Sequence, residues 1–149
     1  MLNNSIFDSE KLSIETIEIV GAQIHTPKSL KISEIEGFTV ENNLQIGSNL
    51  DEKLIKADLS VNINTQNKLN ANATVKSQLI IIFKVGNLTD LSYIDDNKVM
   101  LHHELTNAIA AITYNTARGV LISRLQTTIF KDFILPNINT NKLLEGLSC

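Results

Sequence analysis

Alternation of apolar and polar side chains in the first half of the chain predicts β-strands. Residues 11–26 are rich in β-branched side chains and end before Pro27, and the parity of their apolar positions shifts twice. This pattern favours a long strand with a bulge or bend near Glu15 or Gly21. A helix is the weaker alternative, because the apolar positions fit a period of about 3.6 residues poorly.

Three further strands, joined by short polar turns, are predicted at residues 38–46, 55–64 and 71–85. Short connections between alternating strands indicate an antiparallel sheet with one face toward solvent. On the solvent-facing side of the last strand, the polar positions give way to Ile80 and Ile82. These two isoleucines are an anomaly on an otherwise polar face.

A long helix is predicted from about Lys98 to about Thr127, with Asp95 or Asp96 as its N-terminal cap. Residues 108–112, Ala-Ile-Ala-Ala-Ile, are apolar on every side of this helix. A helix that is apolar all round is buried all round. Because one four-stranded sheet covers only one side of a helix, the sequence predicts that a second copy of the chain covers the rest.

Small residues along this helix would allow a close approach between copies. The expected oligomer-interface residues are Ala108, Ala111, Ile112 and Gly119. For Gly119 the alternative is a tolerated helix defect, which costs about 1 kcal/mol relative to alanine. Beyond the helix, the sequence predicts an extended apolar segment ending at Pro136 and a short helix at residues 140–147.

The composition fits a single domain of 149 residues, with 43% hydrophobic residues, 19% charged residues and a net charge of −3. We expect residues 1–10 to be disordered and residues 11–149 to form the domain. No basic cluster indicates nucleic acid as a partner. We expect no membrane insertion and a cytoplasmic location, since no apolar run approaches the roughly 20 residues of a membrane helix and no signal peptide is recognisable. The single cysteine, Cys149, excludes an intrachain disulfide.

No set of residues combines into a convincing catalytic or metal site. The strongest candidate is His-His-Glu at residues 102–104, but neighbouring helix positions point about 100° apart, so the two histidines cannot face one ion. The carboxylate pairs, Glu15 with Glu18 and Asp95 with Asp96, have no demonstrable apolar pocket. No phosphate-binding loop or nucleophile elbow occurs. We therefore expect a protein that is not an enzyme, with no catalytic residues, no metal and no cofactor.

The order of elements and two short motifs resemble the SecB family of export chaperones. Ala117-Arg118, which follows an apolar segment containing Tyr114, is similar to the family's aromatic-x-Ala-Arg helix motif. Residues 135–139, Leu-Pro-Asn-Ile-Asn, are similar to the family's Leu-x-Pro-x-Asn segment before the final short helix. The resemblance extends from about residue 11 to about residue 146.

This resemblance implies an α+β fold, a four-stranded antiparallel Greek-key sheet with one long helix and a short C-terminal helix packed on one face. It also implies that two sheets join edge to edge in a dimer and that two dimers sandwich their long helices in a tetramer. Unfolded or precursor polypeptides would bind in hydrophobic grooves between the crossover segment, the sheet and the helices. The implied function is that of an ATP-independent holdase chaperone for protein export.

The expected client-binding residues are apolar and flank the layer between sheet and helices: Phe38, Val40, Leu44, Phe130, Phe133, Ile134 and Leu135. Aromatic side chains suit this task because they offer a large contact area and lose little rotamer entropy. The alternative is that these residues belong to the ordinary core. In that case the next candidates are Ile80 and Ile82.

One departure from the family concerns the SecA motor, which family members engage through an acidic outer sheet face. Here that face carries Lys56, Asp58, Lys76, Gln78, Ile80 and Ile82. The face does not favour docking to SecA, although holding clients does not require it. Two alternatives therefore stay open: a SecB-fold adaptor, or an antitoxin-type chaperone dedicated to one partner. A small-ligand binder is disfavoured, because no polar residues converge in the sheet–helix cleft.

Overall fold

An antiparallel sheet and two helices make up the fold, in a computed structural model that describes residues 7–68 and 72–145. The long strands are β1 (Leu12–His25), β2 (Gly37–Asn49), β3 (Leu54–Gln66) and β4 (Thr74–Val85). The helices are α1 (His103–Arg124) and α2 (Thr140–Glu145). Between β4 and α1 lies a hairpin of β5 (Ser92–Asp95) and β6 (Lys98–Leu101).

The strand order in the large sheet is β1-β4-β3-β2, with every neighbouring pair antiparallel. Successive hairpins join β2 to β3 and β3 to β4, while the crossover at residues 26–36 connects β1, which pairs with β4, to β2 at the opposite edge of the sheet. This is a Greek key, so the predicted fold class is confirmed. The crossover contains a single 3-10 turn at Ile32–Glu34.

Strand β1 carries two register shifts against β4, one between Ile14 and Thr16 and one between Ile19 and Gly21. The predicted irregularity therefore occurs at both ends of the suspected region. Because residues directly opposite each other in an antiparallel pair share a face, the shifts keep the four isoleucines of β1 on one side. That side is the one on which the buried residues of β4 lie.

The core fills the space between the sheet and α1. Along β3 every second residue from Ile55 to Thr65 is buried, and β4 shows the same period from Leu79 to Val85. The helix contributes buried side chains at nearly every fourth position: Leu105, Ile109, Thr113, Ala117 and Leu121. Each fully buried leucine or isoleucine stabilises the fold by about 1.5–3 kcal/mol. The layer therefore depends on β3, β4 and one face of α1.

The prediction that the long helix begins near Lys98 is wrong. Lys98 starts β6, and residues Asp96 and Asn97 have φ angles of 53° and 63°. Positive φ at both central residues is what a two-residue type I′ hairpin turn requires. Asp95 and Asp96 therefore belong to the hairpin and do not cap the helix, which begins at His103. The same residue types favour turns and helix caps, and the turn prevails here.

Parts of several predictions fall on residues outside the described ranges. These are residues 1–6 of the segment expected to be disordered, residue 71 of the fourth predicted strand, and the final residues 146–149. Within the expected disordered segment, Ser9–Lys11 forms a 3-10 turn, and the Asp8 side chain accepts a hydrogen bond from the Glu10 backbone N–H. Of the described helices, none is long and apolar enough to cross a membrane.

Candidate functional site

The helix side of the sheet is only partly covered. The main contacts of α1 are with β3, β4 and α2, and α2 also packs on β2. On β1 the isoleucines of this side are 37–48% exposed: Ile14, Ile17, Ile19 and Ile24. We call these four side chains the β1 row. A contiguous row of exposed isoleucines is typical of a surface that binds another polypeptide.

The side of α1 that faces away from the core is also apolar. Ala108, Ala111 and Ile112 are half-buried, whereas Ile109 and Ala110 between them lie in the core. Gly119 is exposed, and a Cβ placed there would meet no atom of a neighbouring element within 4 Å. The four predicted interface residues thus lie on the partly open side of the helix, where a second copy could approach.

Aromatic side chains from distant parts of the sequence meet at the other edge of the sheet. The ring of Phe38 on β2 lies 4.9 Å from the ring of Phe133 and 5.9 Å from the ring of Phe130, measured between centroids. Tilted rings at these separations attract each other beyond the effect of simple burial. The structure therefore brings together three of the predicted client-binding side chains.

These predicted residues differ in how much surface they offer. Leu44, Phe130 and Leu135 are buried in the core of the chain, with at most 1% of their surface exposed. Three others are half-buried and one is 58% exposed; they are Phe38, Val40, Phe133 and Ile134. We call these four accessible side chains the aromatic patch. In this conformation Leu44, Phe130 and Leu135 are core residues that support the aromatic patch.

Two side chains of α1 hold the segment that carries Phe133 and Ile134. The hydroxyl of Tyr114 donates a hydrogen bond of 2.7 Å to the Pro136 carbonyl, and Nε of Arg118 donates one of 2.9 Å to the Leu135 carbonyl. One helical turn separates the two donors. The two motifs that carry the resemblance are therefore in direct contact with each other.

The environment of Tyr114 keeps its hydroxyl protonated. Burial raises the pKa of this phenol, while the positive charge of Arg118 and a hydrogen bond with the Asn42 side chain act in the opposite direction. A protonated phenol can donate to the Pro136 carbonyl. Oδ1 of Asn42 is buried and has no hydrogen-bond partner among the described residues. This corner is the polar end of an otherwise apolar surface.

The outer face of the sheet carries mixed charge. Nε2 of Gln78 donates to both carboxylate oxygens of Asp58, at 2.9 and 3.1 Å. Ile80 lies between Asp58 on β3 and Glu18 on β1, and both Ile80 and Ile82 are half-buried. The anomalous isoleucines are thus partly covered by their polar neighbours.

The two adjacent histidines each contact the side chain of a nearby residue. His102 precedes the first turn of α1, and its ring lies edge-on to Tyr93 with 5.8 Å between centroids. Nε2 of His103 lies 2.8 Å from the amide nitrogen of Asn107, whose oxygen accepts a hydrogen bond from Thr140. In residues 7–68 and 72–145, no group of three or more His, Cys, Asp or Glu side chains could hold a metal ion.

Comparison with solved structures identifies the architecture. The Mycobacterium tuberculosis SecB-like chaperone Rv1957, solved in complex with a ChAD peptide from the Rv1956 HigA1 antitoxin, matches with a TM-score of 0.61 at 14% identity. The match covers 87% of this chain and 93% of that chain. This chain has the SecB-like fold. A Streptococcus agalactiae protein of unknown function matches with a TM-score of 0.45 at 8% identity, over 86% of this chain and 96% of that chain. No protein-family model and no curated protein matches the sequence.

Within this SecB-like fold, the β1 row is the feature that sequence reasoning missed. Its isoleucines look like core residues in the sequence, because they are β-branched and share one face of a strand. Their exposure follows from the position of α1, which lies over β3 and β4. The shifting parity along β1 was the available signal, since a strand at the edge of a sheet tolerates bulges that a central strand does not.

Proposed function

We propose that this protein is an ATP-independent chaperone that holds unfolded polypeptides on the helix side of its sheet. The observation that carries the proposal is the apolar surface left open there at both edges of the sheet, the β1 row along one edge and the aromatic patch at the other. Burying such surface against an extended chain is favourable by about 25 cal/mol per Å². The SecB-like fold, shared with a solved chaperone that binds an antitoxin peptide, supports the same function.

The working form in this proposal is a homo-oligomer in the cytoplasm, with a tetramer as the expected state. Ala108, Ala111, Ile112 and Gly119 would line the contact between long helices of different copies. Support comes from the apolar composition of the partly open side of α1. In such an assembly, part of the β1 row would be covered by the second copy and the remainder would stay available to clients.

The second candidate is a chaperone dedicated to one partner, such as an antitoxin. The solved SecB-like relative was captured with a peptide from an antitoxin, which favours this version. Delivery of export precursors to SecA has weaker support, because the outer face carries mixed charge around Asp58 and Gln78. Both versions use the same apolar surface and differ only in the range of clients.

An aggregation assay tests the proposal. Several unrelated proteins are unfolded in urea and diluted in the presence of stoichiometric chaperone, with and without ATP, and light scattering is followed. We expect delayed aggregation of all of them and no effect of ATP. Protection of a single client would favour the dedicated chaperone, and protection of none would contradict the proposal.

A matched pair of substitutions links the activity to the open surface. Ile24 and Gln23 are neighbours on β1 that point to opposite faces of the sheet, and both are exposed. Ile24→Ser should reduce protection, whereas Gln23→Ser should leave it unchanged. Equal effects of the two substitutions would show that the helix side of the sheet is not the binding surface.

A further inference from the structure

Arg118 has a donor capacity that the fold does not use. Its side chain is partly buried on α1, and Nε donates to the Leu135 carbonyl at 2.9 Å. Among the described residues, no carboxylate lies within ion-pair distance of this guanidinium. The neighbouring Tyr114 is a protonated phenol and brings no negative charge. The positive charge therefore stands uncompensated at the polar end of the apolar surface.

A partly buried cation without a counter-charge depends on water for its remaining hydrogen bonds. Removal of a charge from water is unfavourable unless a counter-charge or several hydrogen bonds replace the water. A guanidinium has five N–H donors in a planar fork, and the fork fits the two oxygens of a carboxylate. Since the Leu135 carbonyl occupies only the Nε donor, the other nitrogens of Arg118 are available to a carboxylate.

The position of Arg118 relates this charge to the aromatic patch. The carbonyl that Arg118 holds belongs to the residue directly after Ile134, which is 58% exposed. Phe133, the residue before Ile134, packs on Phe38. A polypeptide seated on the patch would therefore place one of its residues close to the guanidinium.

We propose that Arg118 is a carboxylate-binding site for the polypeptides that this protein holds. This inference rests on the proposed function and adds a chemical preference to it. The carboxylate comes either from an acidic side chain of the client or from the client's C-terminus, since both present the same pair of oxygens. Apolar contacts with the patch then supply affinity, and the pairing with Arg118 fixes where along the client the contact begins.

Fluorescence anisotropy with a matched set of labelled peptides tests the inference. One short apolar peptide is made with either a central Glu or a central Gln, and each version carries either a free C-terminal carboxylate or an amide. We expect peptides with the recognised carboxylate to bind about tenfold more tightly to the wild-type protein, a preference that weakens at high salt. The Glu/Gln pair and the acid/amide pair distinguish the two sources.

Three substitutions separate recognition of the charge from support of the tail. Arg118→Gln should abolish the preference for carboxylate, and Arg118→Lys should retain part of it. Tyr114→Phe removes the other hydrogen bond that holds the tail but leaves the guanidinium in place. We expect Tyr114→Phe to keep the full preference, so a loss in this variant would show that Arg118 acts only by positioning the tail.

The outcomes for the two proposals are distinguishable. If all peptides bind the wild-type protein equally, the carboxylate site is refuted and polypeptide binding stands, and this result needs no variant to fold. A preference that survives in Arg118→Gln also refutes the site. If Arg118→Gln changes the oligomeric state but not the preference, Arg118 pairs with another copy and the inference fails. If no peptide binds, the proposed function itself is contradicted.

Discussion

Phe130 and Ile134 lie close together in the tail yet should respond oppositely to truncation. Phe130 has no exposed surface and packs 5.9 Å from Phe38 between ring centroids, whereas Ile134 is 58% exposed. Both residues were predicted to bind clients. The burial of Phe130 gives it a role in the core, and under our proposal Ile134 contacts the client directly.

The expected energies follow from burial. Phe130→Ala leaves a cavity in the core and should cost about 3–5 kcal/mol of folding free energy. For a domain of this size, that lowers the melting temperature by about 10 °C. In Ile134→Ser only roughly two-fifths of the side chain's surface is buried, so the loss should stay below about 1 kcal/mol.

Thermal melts followed by circular dichroism measure the stabilities, and anisotropy of a labelled, permanently unfolded polypeptide measures binding. Ile134→Ser should melt like the wild-type protein and bind the client several-fold more weakly. Phe130→Ala should melt earlier. If Ile134→Ser destabilises the fold as much as Phe130→Ala, or if it binds the client as tightly as the wild type, the assignment of the aromatic patch is refuted.

Three further predictions concern the assembly, the tail and the hairpin. Ala111→Glu should convert the oligomer to smaller species in light scattering, because a buried unpaired charge is costly. Ser48→Glu, at an exposed position on β2 and away from α1, should not; an intact oligomer in both variants would contradict the helix interface. Tyr114→Phe should cost about 1 kcal/mol at neutral pH. Folding raises the pKa of Tyr114 above the ordinary tyrosine value of about 10, so the stabilising contribution of Tyr114 is complete below that pH and declines above it. The melting temperature should therefore fall less steeply from about pH 9 to about pH 11 for Tyr114→Phe than for the wild type, and parallel curves would contradict this. Asn97→Val should destabilise the hairpin by about 1–2 kcal/mol, while Asn97→Gly should not, as measured by amide hydrogen exchange of β5 and β6.

The sheet could be predicted from the sequence most clearly at β3, which buries one face and alternates strictly. Each inward position of β3 between Ile55 and Ile63 is apolar and each outward position is polar, so the period of two residues was recognisable. The bulges of β1 could be predicted for the same reason, because they interrupt this alternation of apolar and polar residues. The local pattern of apolar and polar residues was sufficient to predict a strand wherever that strand packs one face on the core.

The hairpin and the tail could not be predicted in the same way. At the hairpin, Asp95-Asp96-Asn97 fits a helix cap and a turn equally well by residue type, and only the pairing of Tyr93 with Met100 decides between them. In the tail, Tyr114 and Arg118 hold the backbone carbonyls of Pro136 and Leu135, and the Leu135 side chain is buried. Every residue has a backbone carbonyl, so the sequence does not show which carbonyls accept hydrogen bonds from Tyr114 and Arg118.

The central claim, that unfolded polypeptides bind on the helix side of the sheet, is tested most directly by site-specific photo-crosslinking. A photoreactive side chain is placed at Ile134 in the aromatic patch, at Ile17 in the β1 row or at Gln23 on the outer face, and an unfolded labelled client is added before illumination. We predict strong crosslinks to the client from position 134, crosslinks from position 17 to the client or to a second copy, and none from position 23. Crosslinks to the client from position 23 alone would contradict the claim.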